Sequence, residues 1–294
     1  MTDFRYDIYH YDNYKINHSI QELYRDVFRF DMKDEFHWRF LENPKGKAMA
    51  VVVTLEHELI GHSAAMPIEL IIRGNKVDAV ISMGTMIHSG YTGHKIGSTM
   101  LQALHQYLYG SKYSLFLGFP NDNSFSMFTN KLGWVHVKDY NFIRFLDNGL
   151  KPVNCYELTD VSSLALNLEP VSTDISLNRD PEYLTWRYKD KRYEIYKSIE
   201  DKYFVITKFQ EKYDIVYWSA NVKEDDVRDF AQFLYSTGKG SIVSTWNSIP
   251  FSDRDTEAGQ RRYHFCIKKL KEDLTDDVLN DKEWMWLMGD SELF

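Results

Sequence analysis

The chain has 294 residues, about the length of two domains, and 44% of them are hydrophobic and 15% aromatic, which excludes a disordered protein. Basic residues number 35 and acidic residues 43, so the formal net charge of −8 offers no positive field for nucleic acid. The N-terminus is polar, which predicts no signal peptide, and no run approaches the ~18 apolar residues that a membrane span needs. The two cysteines are widely spaced and predict no disulfide framework. We therefore expect a cytoplasmic globular protein.

The first half of the chain predicts mixed α and β structure. Segment 4–9 alternates in polarity like a short strand, and two segments with helical spacing of apolar residues follow at 13–28 and 34–41. Four strands between residues 49 and 88, one ending at Met66 and the next beginning near Glu69, predict an antiparallel meander. The order continues with a helix at 98–109, a strand at 113–119, a helix at 124–132 and a strand at 135–146.

The second half repeats this order in reduced form. A Trp-Arg-aromatic triplet occurs in one helix segment of each half, at Trp38 and at Trp186. The shared order predicts an internal duplication with a boundary at Gly149, hence domains at 1–149 and 150–294. The predicted elements are a helix at 180–189, strands at 192–199, 203–209 and 214–220, a helix at 224–235, a strand at 241–246, a helix at 253–262 and a strand at 263–270.

A loop with three glycines joins the meander to the next helix. Gly93 and Gly97 allow positive φ and close approach, and the N–H groups between Gly93 and Ser98 are expected to point outward at the helix N-terminus. Such a terminus binds anions, and a diphosphate fits it. The spacing matches neither GxxxxGK[ST] nor GxGxxG. A flexible loop with incidental glycines is the alternative.

With these elements in this order, residues 4–146 resemble the GNAT superfamily of acyl-CoA-dependent N-acyltransferases. The loop is similar to the family motif Arg-Gly-x-Gly-x-Gly/Ala, in which Gly93 and Gly97 are kept while Thr92 and Lys95 replace the Arg and the middle Gly. Asn123 and the segment 127–134, which ends Leu-Gly-Trp, resemble the family's Asn…Leu-Gly-Phe ending. The resemblance implies an α+β fold: a mixed, mostly antiparallel sheet with flanking helices, followed by a second, degenerate GNAT-like half.

The resemblance also implies that acyl-CoA is the co-substrate. The strand end at 86–88 would splay from the strand that contains Phe116. The pantetheine arm of coenzyme A would pair with the backbone of residues 86–88. The diphosphate would lie on the N–H groups of the glycine loop, and no metal is expected. The residues expected to bind coenzyme A are Met86, Ile87, His88, Gly93, His94, Lys95, Ile96, Gly97, Ser98 and Asn123.

Acyl transfer requires a neutral amine and a donor for the oxyanion. His88 is the first candidate base, with His62 and Glu69 as further candidates, because histidine is suited to proton transfer near neutral pH. A water chain is the alternative to a side-chain base, and a structural role is the alternative for each histidine. Thr129 occupies the position of the family's tyrosine acid, so we expect it to donate a hydrogen bond to the leaving thiolate.

The second half lacks a glycine loop, so we expect no second coenzyme A site there. It is either a duplicate that packs on the first half or a platform for the acceptor. The loop starting at Phe119 and the Gly289-Asp-Ser-Glu ending loosely resemble two-domain GNAT proteins that acylate amino sugars for surface polysaccharides. Asn121, Trp246 and Asp290 are therefore expected to bind a nucleotide-linked amino sugar.

Two further functions stay open at this stage. One is an N-acetyltransferase for proteins or peptides, and the other is a non-catalytic module that senses acyl-CoA. Replacement of the motif's Arg, middle Gly and Tyr favours the non-catalytic module, whereas the Asn-rich loop favours the enzyme. A monomer and a homodimer both fit the sequence.

Overall fold

The computed structural model describes residues 3–32, 34–166, 175–239, 242–252, 256–272, 274, 276–279 and 284–291. The chain forms two compact units, which we call unit 1 (residues 1–138 and 264–281) and unit 2 (residues 139–263 and 282–294). This division does not follow the expected single boundary after Gly149. Part of the second half of the sequence belongs to unit 1, because a strand near the C-terminus pairs with a strand of the first half.

The helices and strands follow one another in mixed order along the chain. Those before residue 150 are β1 (Arg5–Tyr9), α1 (Tyr14–Phe28), α2 (Phe36–Phe40), β2 (Met49–Leu55), β3 (Glu58–Ile72), β4 (Asn75–Ile87), α3 (Ile96–Leu108), β5 (Leu115–Gly118), α4 (Asp122–Ser126) and β6 (Val135–Phe145). Those after it are β7 (Tyr156–Thr159), α5 (Val161–Leu166), β8 (Ile175–Leu177), α6 (Pro181–Tyr188), β9 (Tyr193–Ser198), β10 (Tyr203–Phe209), β11 (Lys212–Trp218), α7 (Glu224–Ser236), β12 (Ile242–Trp246), β13 (Thr256–Lys269) and β14 (Trp284–Met285).

Unit 1 contains a mixed sheet in the strand order β1-β2-β3-β4-β5-β13. All neighbours are antiparallel except β4 and β5, which are parallel and are connected through α3. One core lies between α3 and the sheet, where Met100, Leu101, Leu104 and Leu108 of the helix are buried at helical spacing. α1 packs against β3 and β4 through Ile20, Leu23 and Tyr24.

Unit 2 has a sheet in the order β6-β12-β11-β10-β9-β7, with β14 paired to β8. Along this strand order the neighbours are antiparallel except β11 and β12, which are parallel and are connected through α7, and the pair of β14 and β8 is also parallel. Each unit therefore has an antiparallel meander followed by a strand–helix–strand crossover. The predicted fold class, a mixed and mostly antiparallel sheet with flanking helices, is confirmed. Among the described residues, no helix has both the length and the hydrophobicity that crossing a membrane requires.

Two predicted elements differ from the structure. The two short strands on either side of Pro67 form the single strand β3, because proline is compatible with an extended backbone and Pro67 takes its place in the register opposite Val80. The helix predicted at 253–262 is wrong: residues 253–255 lie outside the described part, and a strand runs from Thr256. Local sequence favoured the helix, but antiparallel pairing with β5, with Cys266 opposite Gly118, determines the conformation.

Candidate functional site

Strands β4 and β5 of unit 1 lie side by side over a short stretch. Ala79 is paired with Leu115, and the pairing extends as far as Ile81 and Leu117. β4 continues beyond this point to Ile87, still paired with β3. Because β5 ends at Gly118, the end of β4 has no strand partner on the β5 side among the described residues, and we call the space beside it the gap. The family resemblance implied a splay of the two strands at this place, and that splay stays a prediction.

The end of β4 directs one backbone N–H into this gap. The N–H of His88 donates to the carbonyl of Ile60 on β3 at 2.8 Å. Neighbouring N–H groups of a strand point to opposite edges, so the N–H of Ile87 points away from β3 and towards the gap. Of the three residues expected to pair with coenzyme A here, Ile87 is the donor on the gap side, whereas the N–H groups of Met86 and His88 face β3.

The loop after β4 has the backbone conformation that its glycine pattern suggested. Gly93 has φ +88°, and apart from its chain neighbours no heavy atom of the described residues lies within 4 Å of the Cβ that another residue would place there. Lys95, at the position of the motif's middle glycine, has φ +61°. Lys95 is exposed, and its ammonium has no partner among the described residues. His94, between them, is also exposed, and its ring lies 5.9 Å from that of Phe4.

Helix α3 begins at Ile96, two residues before the predicted start. The first N–H groups of a helix have no partner inside it, so those of Ile96, Gly97 and Ser98 are available at this terminus. Hydrogen bonding within the helix begins with Thr99, whose N–H donates to the carbonyl of Lys95 at 3.0 Å. Together with the helix dipole, these groups form a site suited to an anion.

Gly97 is where this terminus touches the end of β4. A Cβ on Gly97 would lie 3.2 Å from Cδ1 of Ile87 and 3.5 Å from the sulfur of Met127. Glycine therefore lets α3 approach β4 closely, which brings the helix N-terminus to the mouth of the gap. A larger side chain has to displace Ile87, a cost that any test at this position must control for.

His88 is half-buried at the end of β4 and caps the short turn Ser89–Tyr91. The N–H of Gly90 donates to its Nδ1 at 3.2 Å. An Nδ1 that accepts a hydrogen bond carries no proton, so the neutral ring has its proton on Nε2. In this state Nε2 is a donor, which differs from the expected role of His88 as a base.

Asn121 and Asn123 lie in the exposed loop after β5. The side-chain oxygen of Asn121 caps α4 by accepting from the N–H groups of Asn123 and Ser124, at 3.1 and 3.2 Å. The side chain of Asn123 has no partner within the described residues and is exposed. Asn121 thus has its carbonyl oxygen engaged in capping, whereas the amide of Asn123 is accessible to a ligand.

Thr129 lies in a π-helical turn, Met127–Lys131, that continues α4. The residue is on the predicted helix and is half-buried, but its hydroxyl donates to the carbonyl of Phe125 at 3.0 Å. Because the single hydroxyl proton is engaged within the helix, it is not directed at a thiolate. The geometry thus gives no support to the hydrogen bond expected from Thr129 to the leaving group.

Residues 15–137 match the family model of the acetyltransferase (GNAT) domain. The match contains the gap, the glycine loop and the N-terminus of α3. Residues 15–137 are a GNAT domain. The chain therefore contains a domain of the GNAT family of acyl-CoA-dependent N-acyltransferases. A sequence comparison with curated proteins gives no match.

Solved structures with this fold cover both units. A conserved protein from Enterococcus faecalis is 11% identical with a TM-score of 0.67, over 92% of this chain and 73% of that one. A GCN5-related N-acetyltransferase from Anabaena variabilis is 12% identical with a TM-score of 0.64, over 91% and 73%. N-myristoyltransferase from Saccharomyces cerevisiae, solved with bound myristoyl-CoA, is 11% identical with a TM-score of 0.63, over 91% and 79%. At these identities the likeness shows a shared fold.

Outside the GNAT domain, in unit 2, the two residues expected to bind the acceptor are buried. Trp246 is fully buried and stacks on Tyr140 with ring centroids 5.1 Å apart, so it is part of a core. Asp290 is 2% exposed and forms a bidentate ion pair with Arg179. Both expectations need correction, because neither side chain offers a free polar or aromatic surface to a substrate. Glu292, the last residue of the quoted ending, lies outside the described residues.

The other candidate bases of the GNAT domain are also engaged elsewhere. His62 is fully buried between Tyr11 and the carbonyl of Gly84. Glu69 lies near the far end of β3 from the gap and pairs with Lys76 at 2.9 Å. Neither the Glu69 carboxylate nor the His62 imidazole therefore faces the gap as a base.

Sequence reasoning missed one pair of titratable side chains in unit 1. His264 on β13 is buried, its Nε2 lies 2.9 Å from Oδ1 of Asp122, and its ring stacks on Phe125 at 4.0 Å. The ring of His136 lies 5.6 Å away. The sequence offered no signal for the pair, since β13 was not predicted to join the first half. Neighbouring histidines suit zinc, so the absence of a metal stays a prediction.

Proposed function

We propose that the GNAT domain holds acyl-CoA with its pantetheine arm in the gap between β4 and β5 and its diphosphate at the N-terminus of α3. The observation that carries this proposal is the junction of the two features at Gly97, where the anion site meets the mouth of the gap. Lys95 and Asn123 supply an ammonium and an amide at exposed positions on neighbouring loops. The yeast N-myristoyltransferase, solved with myristoyl-CoA, supports acyl-CoA binding by this fold.

The reaction transfers an acyl group from sulfur to nitrogen. The acceptor amine attacks the thioester carbonyl, and the negative charge that develops on its oxygen is stabilised by the N–H of Ile87 in the gap. The C–S bond then breaks, coenzyme A leaves as a thiolate, and the proton lost by the amine passes to solvent. A thiolate is a good leaving group, so the engaged hydroxyl of Thr129 is not needed as an acid.

His88 supports this reaction as a donor. With its Nδ1 accepting from Gly90, its Nε2–H is free to orient a water molecule or the acceptor at the end of β4. Water then deprotonates the amine, which was the alternative to a side-chain base. This role needs no proton transfer by the imidazole itself.

We propose a nucleotide-linked amino sugar for surface polysaccharide as the acceptor, acylated in the cytoplasm. Support comes from the loop of Asn121 and Asn123, whose resemblance to amino-sugar acyltransferases is independent of the buried Trp246 and Asp290. A peptide N-terminus is the second candidate acceptor, because the fold also matches an N-myristoyltransferase over both units.

A transfer assay distinguishes these acceptors. The protein is incubated with acetyl-CoA and longer acyl-CoAs, and release of the free thiol is followed with nucleotide-linked amino sugars, free amino sugars or peptides as acceptors. We expect acceptor-dependent thiol release with a nucleotide-linked amino sugar. Thiol release with peptides alone would show that the acceptor is a peptide and not an amino sugar. Binding of acyl-CoA without transfer to any amine would show that the protein is a non-catalytic module that senses acyl-CoA.

A further inference from the structure

A β-bulge in β4 lies between Ile81, where the pairing with β5 ends, and Ile87, the last residue of the strand. His62 of β3 is opposite Met86, but Ala64 is opposite Met83, so two residues of β4 face the single residue Ser63. One of them is Gly84, with φ +55°, the left-handed conformation that glycine adopts without steric cost. Such a bulge bends the strand and reorients the residues that follow it. Here those residues lead to Ile87, the proposed oxyanion donor.

The imidazole of His62 holds this bulge from inside the unit. Its Nδ1 lies 2.8 Å from the carbonyl oxygen of Gly84, and its Nε2 lies 2.8 Å from the hydroxyl of Tyr11. A carbonyl only accepts, so Nδ1 carries the proton and donates it to Gly84. Nε2 then accepts from Tyr11, whose side chain is itself buried and stacks on Phe40.

Both ring nitrogens are thus satisfied, and the ring stays neutral. His62 has no exposed surface, and burial lowers the pKa of its imidazole to about 4. Burial also raises the pKa of the Tyr11 phenol well above its ordinary value, so the hydroxyl keeps its proton for His62. Across the physiological range the hydrogen bond to Gly84 therefore has one fixed direction.

Side chains of β3 and α1 pack directly against the bulge. A Cβ on Gly84 would lie 3.5 Å from Cε1 of His62 and 3.8 Å from the ring of Tyr24. On the other residue of the bulge, the hydroxyl of Thr85 hydrogen-bonds to that of Ser63 at 2.8 Å. An apolar side chain in place of His62 would fill the same space but leave the Gly84 carbonyl buried without a partner.

We infer that His62 is a positioning residue for acyl transfer: its hydrogen bond to the Gly84 carbonyl sets the bulge and so aims the Ile87 N–H into the gap. The inference rests on the proposed function, since the thioester carbonyl is what that N–H would meet. His62 touches neither substrate nor thioester and acts through the backbone of β4. A displacement of about 1 Å at a reacting group can cost a hundredfold in rate.

Three variants separate this role from simple core packing. His62→Asn keeps a donor the same number of bonds from Cα as Nδ1, so it can retain the bond to Gly84. His62→Gln places its amide at the distance of Nε2, so it can retain the bond to Tyr11 and lose the one to Gly84. Tyr11→Phe is the matched control, because it removes a buried hydrogen bond from the same ring and leaves Gly84 bound.

The readout is the carbonyl of [1-13C]acetyl-CoA bound to the full chain, observed by infrared difference spectroscopy, alongside coenzyme A affinity by calorimetry and turnover. In the wild type and in Tyr11→Phe we expect the carbonyl band to shift to lower wavenumber on binding. In His62→Gln we expect most of that shift to be lost, with kcat about a hundredfold lower and coenzyme A affinity within about threefold. His62→Asn should restore the shift.

The outcomes separate the inference from the proposed function. No binding of acetyl-CoA by the wild type would overturn both. A His62→Gln protein with the wild-type carbonyl band, or a band lost equally in Tyr11→Phe, would overturn the inference alone. If the His62 variants do not fold, nitrogen-15 NMR of the wild type decides: a proton on Nδ1 is expected, and a ring protonated on Nε2 would contradict the inference.

Discussion

Ile87 contributes to the proposed chemistry through its backbone, so the identity of its side chain is secondary to the direction of its N–H. That direction follows from the bond between His88 and Ile60 and from the bulge at Gly84. An N–H that points away from β3 can be removed without breaking the ladder between β3 and β4. This makes the residue accessible to a test that most strand positions do not allow.

Ile87→Pro removes this N–H, because proline has no backbone donor. We expect kcat to fall by about 10² to 10³, the usual effect of losing one oxyanion donor, while coenzyme A affinity stays within about threefold. Ile87→Ala keeps the N–H and is the matched control for the lost side chain. Steady-state kinetics and calorimetry check the pair, and equal kcat in both variants would exclude Ile87 as the donor.

His62 also predicts how the stability of the protein depends on pH. The unfolded histidine takes up a proton below about pH 6.5, whereas burial holds the folded pKa at about 4. Between these values the unfolded state binds more protons, so stability falls as the pH falls. We expect His62 to lower the free energy of unfolding by about 2 kcal/mol between pH 7.5 and pH 5.

Urea unfolding of the wild type and of His62→Asn at both pH values measures this contribution. The other titrating groups are common to the two proteins, so the difference between their pH responses isolates His62. Parallel pH responses would show that the His62 imidazole is not held neutral in the folded protein.

Among the individual residues, the sequence predicted those whose role depends on the residue type itself. Gly93 and Gly97 were found because positive φ and close approach require glycine, and both features are present. The role of Ile87 could not be predicted, since it depends on a register shift between two strands. Trp246 and Asp290 were misjudged because an aromatic ring or a carboxylate suits a buried cluster as well as a ligand site.

At the scale of elements, the C-terminal turn Met288–Asp290 of unit 2 is held by two buried arginines. Arg179 pairs with the Asp290 carboxylate, and Arg187 donates to the Gly289 carbonyl at 2.7 Å and to that of Ser291 at 3.1 Å. The two arginines therefore anchor this ending in the core of unit 2. Removing it leaves buried guanidinium groups without partners, which costs far more than the loss of a surface contact.

Asp290→Ala should lower the free energy of unfolding by about 3–5 kcal/mol, because it leaves Arg179 buried and uncompensated. Asp7→Ala is the control: Asp7 also pairs with an arginine, Arg5, but both side chains are exposed, and its loss should cost less than about 1 kcal/mol. Denaturant unfolding checks both. Similar small effects in the two variants would mean that the Arg179 pair does not anchor the ending.

At the scale of the whole molecule, the order of elements was predictable and the division into units was not. Hydrophobic periodicity identified the meander, the crossover helix α3 and the repeated order after residue 150. The boundary was placed at the turn before Gly149, because turn residues are a local signal. Strand β13 pairs with β5 although more than a hundred residues of sequence separate them, and no local pattern predicts that pairing.

A fragment of residues 1–149 should therefore not fold as an independent domain. It lacks Cys266–Lys269 of β13, which pair with β5, so it exposes the edge of a buried strand. We expect the fragment to be insoluble or to lack a cooperative thermal transition. Co-expression with residues 150–294, which supply β13, is the control and should restore solubility. A soluble 1–149 fragment with a cooperative transition would contradict the division described above.

Binding of the coenzyme A diphosphate at the N-terminus of α3 is tested by a calorimetric titration of coenzyme A into the wild type, Gly97→Asn and Gly97→Asp. The two variants crowd Ile87 equally and differ in one negative charge at the N-terminus of α3, where the diphosphate is proposed to lie. We predict binding by the wild type, moderately weaker binding by Gly97→Asn, and at least a tenfold further loss in Gly97→Asp. Equal affinities for Gly97→Asn and Gly97→Asp, or no binding by the wild type, would contradict the account.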